Sequence, residues 1–291
     1  MDDNEFTDTK QYNIMINIDD KSNIEDIRRR NLNIIADIKP DSKVLIICGN
    51  DLTKITNAIP LEYLNRIYGI DYELHDYSGI VNFKIEEGIF PNLEYLYLSS
   101  ERKDFIRSMH ASNRHPNLIN EIQLNNLPKT IKILYIDFIA RIFEFNKPLD
   151  NLPPNLETLC ISSFCFNQPL DMLPITLKKL SINSNDYNQP INNLPPGLET
   201  LYIGKNVFWS TMTFNHPLDN IPNTIKNLHI SSLYGLEINK LPDMIETLTM
   251  NNKYNYKKEL ENLLTEINTQ RTEMNSINSI NSIKPLTIKY V

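Results

Sequence analysis

Glycine is scarce in this chain, at seven of 291 residues, so glycine-rich loops that wrap phosphate groups are not available. Cysteine is also rare: three residues in no metal-like spacing, which is typical of a reducing compartment. No run of about 18 apolar residues exists, which argues against a membrane-spanning helix. The chain also lacks a positive net charge: its formal charge is −7, which argues against nucleic acid as the main partner.

Signals for export are missing too. The first residues, MDDNEFTD, lack the basic and apolar regions of a signal peptide, and the chain contains no Asn-x-Ser/Thr sequon. We therefore expect a cytoplasmic protein, and a monomer with no membrane partner.

The sequence contains no clear pattern typical of an enzyme. His75, His110, His115, His216 and His229 are scattered, and the five-residue spacing of His110 and His115 does not give the i, i+4 face of a helical zinc site. No Gly-x-Ser-x-Gly, phosphate-loop or paired-carboxylate pattern stands out. The sequence therefore predicts no catalytic residue, no cofactor and no metal site.

The most prominent feature of the chain is a repeated sequence motif. Three consecutive copies read FNKPLDNLPPNLETLCI (145–161), FNQPLDMLPITLKKLSI (166–182) and YNQPINNLPPGLETLYI (187–203). A fourth copy starts at Phe214, weaker copies start at Asn120 and Tyr234, and a short echo starts at Phe90. A fixed period of this length indicates a solenoid, in which each unit buries its apolar face against its neighbours.

Each copy combines a turn with a strand. The closing Leu-x-Ile alternates apolar and polar residues as a half-buried strand does, and the recurring Leu-Pro excludes a continuous helix. Stacking such copies aligns the strands in a parallel sheet, with Phe-Asn-x-Pro-Leu as the return path. We therefore predict a mainly β, leucine-rich-repeat-like, right-handed solenoid of about six to seven coils.

Two further columns follow from the stacking. Aromatic residues recur from Phe145 to Tyr234, and asparagines recur from Asn146 to Asn215. We expect both columns to be architectural, with the asparagines bonding backbone groups that the turns leave unpaired.

The motif Phe-Asn-x-Pro-Leu…Leu-Pro resembles the FNIP repeat, a leucine-rich-repeat-like unit known from social amoebae and from giant viruses of amoebae. The resemblance covers residues 120–250, and Leu177-x-x-Leu180-x-Ile182-x-x-Asn185 also fits a leucine-rich repeat. It implies an interaction scaffold in the cytoplasm, or in the host cytoplasm for a viral protein. Some such proteins carry an N-terminal F-box that recruits a ubiquitin ligase.

The repeat array, predicted over 86–251, needs caps at its ends. Residues 252–291 are predicted to form the C-terminal cap: a helix over 252–272 with Leu260, Leu263, Leu264 and Ile267 on one face, a low-complexity spacer, and PLTIKYV as a last edge strand. In the N-terminal region, 1–85, residues 43–49 are strand-like and residues 23–38 look helical.

Residues 59–70, IPLEYLNRIYGI, allow two interpretations. Ile59, Pro60, Glu62, Leu64 and Ile67 loosely fit an F-box, which would bind a Skp1-like adaptor. The same stretch also reads as a capping unit or a worn repeat, since LEYL recurs at 93–96.

The face formed by outward strand residues is the predicted protein-binding surface, because stacked strands make a continuous platform. Its candidate residues are Tyr135, Thr158, Lys179, Ser181, Thr200, Tyr202, Asn227 and His229. All length variation in the array falls between a strand and the next aromatic, which predicts two rim loops. Those loops contain Phe138, Phe143, Phe208 and Trp209, which either pack down on the coil or bind a partner.

Overall fold

Short parallel strands dominate the structure, which is a computed structural model. It describes residues 14–18, 43–49, 52–74, 85, 88–100, 124–138, 145–204, 214–230, 233–277 and 283–290. The chain divides into two compact units, Met1–Phe143 and Glu144–Val291.

The first unit contains strands β1 to β5, each hydrogen-bonded in parallel to the next. The strands span Ile14–Ile18 (β1), Val44–Gly49 (β2), Ile67–Leu74 (β3), Tyr95–Ser100 (β4) and Ile133–Phe138 (β5). Two short helices, Thr53–Ala58 (α1) and Leu61–Leu64 (α2), precede β3. The strand predicted at 43–49 is confirmed, and the helix predicted at 23–38 lies outside the described residues.

The second unit contains strands β6 to β11, again all parallel and in register from one copy of the repeat to the next. They span Thr158–Ser163 (β6), Lys179–Asn183 (β7), Thr200–Gly204 (β8), Asn227–Ile230 (β9), Thr247–Met250 (β10) and Thr287–Tyr290 (β11). A long helix, Lys257–Ile277 (α3), lies between β10 and β11 in sequence.

These elements confirm the predicted fold class: mainly β and leucine-rich-repeat-like, with parallel strands and a C-terminal helix. Each Leu-x-x-Leu-x-Ile segment forms a strand because its alternation buries one face. In β7, Leu180 and Ile182 are fully buried, whereas Lys179 on the other face is exposed. The domain boundaries at 85 and 251 remain predictions.

The Leu-Pro segment is a tight turn. In each copy the proline carbonyl accepts a hydrogen bond from the amide three residues later, as Pro174 does from Leu177 at 3.0 Å. The same bond joins Pro153 to Leu156 and Pro195 to Leu198. Proline fits here because its carbonyl is used while its missing N–H is not needed.

The aromatic column is confirmed as core. Adjacent rings lie 5.9 to 6.2 Å apart between centroids, and their planes are within 25° of parallel. The column runs through Phe145, Phe166, Tyr187, Phe214, Tyr234 and Tyr254. Each ring therefore fills the space above the ring of the preceding coil.

The asparagine column is confirmed as a hydrogen-bond ladder. The side-chain oxygen of Asn146 accepts from the amide of Asn167 at 2.9 Å, and the oxygen of Asn167 accepts from the amide of Asn188 at 3.0 Å. Asn188 does the same for Asn215 at 3.0 Å. These asparagines are exposed or half-buried, because the return path runs along the surface.

The C-terminal cap closes with polar contacts that the apolar pattern did not predict. Helix α3 begins and ends five residues later than expected, and only Leu260 of its predicted apolar face is fully buried. Asn268 bonds both the amide and the carbonyl of Leu286, at 2.8 and 3.1 Å. The buried Arg271 donates to the carbonyls of Lys284 and Asp243 at 2.9 and 2.8 Å. The last edge strand, β11, forms as predicted.

Candidate functional site

The outward strand residues of the second unit form two parallel rows. The first row holds the opening residue of each strand: Thr158, Lys179, Thr200, Asn227, Thr247 and Thr287. The second row lies two residues further along each strand: Cys160, Ser181, Tyr202, His229, Thr249 and Lys289. Neighbours within a row stand about 4.8 Å apart, the strand spacing of a sheet.

Three of the six second-row residues, Ser181, Tyr202 and Thr249, are buried. Ser181 is 2 % exposed and Tyr202 is 7 % exposed. The ring of Tyr202 stacks on His229 with 4.2 Å between centroids and 26° between planes. Large rings on strands only about 4.8 Å apart cover each other, and for this reason Tyr202 is not the accessible anchor that the sequence predicted.

His229 carries no charge at neutral pH. Burial lowers its pKa to about 4, and neither ring nitrogen has a hydrogen-bond partner among the described residues. It therefore adds an aromatic surface to the second row rather than a cation.

Tyr135, the other predicted anchor, lies in the first unit and is 4 % exposed. Its ring contacts those of Tyr95 and Tyr97, each with centroids 5.8 Å away, and the Tyr97 hydroxyl donates to Asp137 at 2.7 Å. Asp71, beside Tyr97 in the register, has its pKa raised to about 6 by burial and by the nearby Glu73. This group of tyrosines and carboxylates was not predicted, although alternation within β3 and β4 places them on one face.

The first row of the second unit is more accessible. Lys179, Asn227 and Thr287 are exposed, while Thr158, Thr200 and Thr247 are half-buried. None of these six side chains makes a hydrogen bond or an ion pair with another described residue. The first row therefore presents hydroxyl, amide and ammonium groups with unused bonding capacity.

Other polar columns of the same coils are bonded internally. The Thr176 hydroxyl lies 2.8 Å from the carbonyls of both Pro154 and Leu156, and Thr224 repeats this contact at 2.8 and 2.7 Å in a later coil. Together with the asparagine ladder, these contacts hold coil to coil. The contrast separates architectural polar residues from those of the first row.

A charge ladder lies immediately before the strands. Lys178 pairs with Glu157 at 2.8 Å, and Lys226 pairs with Glu199 at 2.9 Å. Glu246, at the same position before β10, pairs with Lys284 at 2.9 Å. The sequence shows the alternation Glu, Lys, Glu, Lys, Glu at one repeat position, and this signal could have revealed the ladder. Each exposed pair contributes little alone, but alternation avoids like charges on adjacent strands.

Of the four predicted rim residues, the structure describes one. Phe138 is not in a loop: it is the last residue of β5 and is fully buried, because it continues the inward alternation of Leu134 and Ile136. Phe143, Phe208 and Trp209 lie outside the described residues.

The stretch 59–70 does not form one helix. Helix α2 ends at Leu64, and Ile67 begins strand β3. Ile59, Leu64 and Ile67 are all buried. Three of the five residues that loosely fit an F-box are therefore part of the core of the first unit, whereas Pro60 and Glu62 are exposed.

The described parts of the chain contain no group of three or more His, Cys, Asp or Glu residues placed to hold a metal ion. Among their helices, none is long and apolar enough to cross a membrane.

The fold and the two rows define a class: a leucine-rich-repeat-like array of parallel strands with an accessible polar strand face. Comparison with known families agrees, since residues 166–206 match the model of the FNIP repeat. The match confirms the resemblance that the repeated motif predicted, and it covers the two copies that contain β7 and β8. No curated protein matches the chain.

Proposed function

We propose that this repeat protein is a non-enzymatic, cytoplasmic scaffold that binds a protein partner through the strand face of its second unit. One observation carries the proposal: the first row is exposed or half-buried and its side chains bond to no other described residue, whereas neighbouring polar columns bond to the adjacent coil. Polar groups of this kind bond to water in the free protein and can exchange that water for a partner at little cost. The FNIP match supports the proposal because it makes this chain a repeat protein.

The test is affinity capture with the full chain, followed by mass spectrometry. Thr200→Arg and Asn227→Arg place bulky groups in the middle of the first row, and we expect the same partners to be lost with both. Asn220→Arg, at an exposed turn position of the same coil as Asn227, is the matched control and should keep them. Capture that is identical for all of these variants would refute binding through this face.

A ubiquitin-ligase adaptor is the second candidate, and it rests on the resemblance alone. In that function residues 59–70 bind a Skp1-like protein while the repeats hold a substrate. Because Leu64 is buried, Leu64→Asp would unfold the unit and is a poor test. Glu62 is exposed, so Glu62→Lys tests the contact without disturbing the core. Co-purification of a Skp1-like protein that Glu62→Lys abolishes would support the adaptor function.

A further inference from the structure

The strands of the second unit are free of acidic residues. The chain contains 36 aspartates and glutamates, yet none lies within β6 to β11. The outward positions instead carry two lysines, Lys179 in the first row and Lys289 in the second. Both lysines are exposed, and neither forms an ion pair with a described residue.

The carboxylates that come directly before these strands are already paired. Glu157, Glu199 and Glu246 come directly before β6, β8 and β10, and each has a lysine within 2.9 Å. They therefore offset the ladder lysines rather than Lys179 and Lys289. The strand face keeps a positive character in a chain whose net charge is negative.

The two lysines are separated by a fixed distance. From β7 to β11 there are four strand spacings of about 4.8 Å, and Lys289 lies two residues further along its strand, so the separation is about 20 Å. An extended polypeptide advances about 3.3 Å per residue, and about six residues therefore span this gap. Between the lysines the first row offers Thr200, Asn227 and Thr247 as donors and acceptors.

From this geometry we propose that the strand face binds an extended segment of a partner protein that carries two carboxylates about six residues apart. The segment crosses the strands, with one carboxylate at Lys179 and the other at Lys289, and its polar groups bond to the first row. This inference rests on the proposed function, because it specifies the chemistry of the partner at the same surface.

The experiment uses labelled synthetic peptides of Gly, Ser and Gln, titrated with the full chain and followed by fluorescence anisotropy. One peptide carries Glu at positions i and i+6, a second carries Glu at i and i+2, a third has Gln in their place, and a fourth has Lys at i and i+6. We expect the i, i+6 Glu peptide to bind at least roughly fivefold tighter than each of the others, with a difference that added salt reduces. Lys179→Glu and Lys289→Glu should each remove that preference.

Lys240→Glu, which reverses the charge of an exposed lysine just before the Leu241-Pro242 segment, is the control and should leave the preference unchanged. Equal binding of the Gln peptide, tighter binding of the Lys peptide, or an equal loss in Lys240→Glu would each overturn the inference. Failure of this inference can be told apart from failure of the proposed function. If Thr200→Arg abolishes partner capture while the i, i+6 Glu peptide does not compete with the partner for the strand face, the scaffold function stands and the acidic segment is wrong.

Discussion

Tyr187 offers a sharp test of how the aromatic column stabilises the array. Its ring stacks between Phe166 and Phe214, with 6.1 Å between centroids on each side. The side chain is completely buried, and its hydroxyl has no hydrogen-bond partner in the part of the chain that the structure describes. Burial also raises the pKa of this hydroxyl, so it stays protonated and uncharged.

Tyr187→Phe removes the unpaired oxygen and keeps the stacked ring. A buried polar group without a partner costs about 1–3 kcal/mol, while the small void left by the oxygen offsets part of the gain. We therefore expect Tyr187→Phe to raise the free energy of unfolding by about 1 kcal/mol. Other copies already have phenylalanine at this position.

Two other tyrosines of the column provide matched controls. The Tyr254 hydroxyl accepts from the amide of Ile238 at 3.1 Å and donates to the carbonyl of Leu236 at 2.9 Å. The Tyr234 hydroxyl donates once, to the carbonyl of His216 at 3.1 Å. Tyr254→Phe should therefore cost about 2 kcal/mol and Tyr234→Phe about 1 kcal/mol, because each leaves backbone groups unpaired.

Urea unfolding of the full chain, followed by circular dichroism, measures all three variants. With a slope of about 1–3 kcal/mol per molar, a change of 1 kcal/mol moves the midpoint by roughly 0.3–1 M. The midpoint should rise for Tyr187→Phe and fall for the other two, most for Tyr254→Phe. A fall for Tyr187→Phe as large as that for Tyr234→Phe would show that the hydroxyl has a partner and that the reasoning is wrong.

Further predictions concern the core, the second row and the cap. Leu180→Ala should lower the free energy of unfolding by about 2–5 kcal/mol through a cavity, whereas Lys179→Ala on the opposite face should leave the urea midpoint nearly unchanged. Because burial lowers the pKa of His229 to about 4, the unfolded chain binds more protons than the folded one between pH 6.5 and 4, so its contribution to stability is lost as the pH falls through that window. Midpoints measured at pH 7 and 4.5 should differ less in His229→Gln than in the parent; an unchanged difference in His229→Gln would contradict the assignment. Arg271→Met should cost about 1–3 kcal/mol by leaving two backbone carbonyls unpaired, and a neutral melting temperature would mean that water replaces the guanidinium.

Much of the candidate site could be predicted from the repeat. The period identifies equivalent positions, and strand alternation assigns Lys179, Thr200 and Asn227 to the outward face. The accessibility of each outward residue could not be predicted in this way. Tyr135 and Tyr202 have the residue type of interface anchors, yet both are buried, since their rings meet those of adjacent strands.

The contacts at the C-terminal end of the array were harder to predict than those of the repeats. The apolar pattern of 252–272 predicted a capping helix, and the helix is there. Its side-chain hydrogen bonds to residues 283–286, however, come from Asn268, Arg271 and Asn275, which bond to backbone groups. Polar side chains at such positions carry no periodic signal, because their partners are main-chain atoms that any sequence could supply.

The sequence by itself determined the coil, since a repeated apolar pattern has one efficient way to bury itself, which is to stack on its own copy. It also determined the aromatic column, the asparagine ladder and the positions of the strands. Tertiary structure alone decided which polar groups are satisfied and which are left over, as the contrast between Thr176 and Thr200 shows. Hydrogen bonds depend on distances and directions across coils, and a one-dimensional pattern does not contain these.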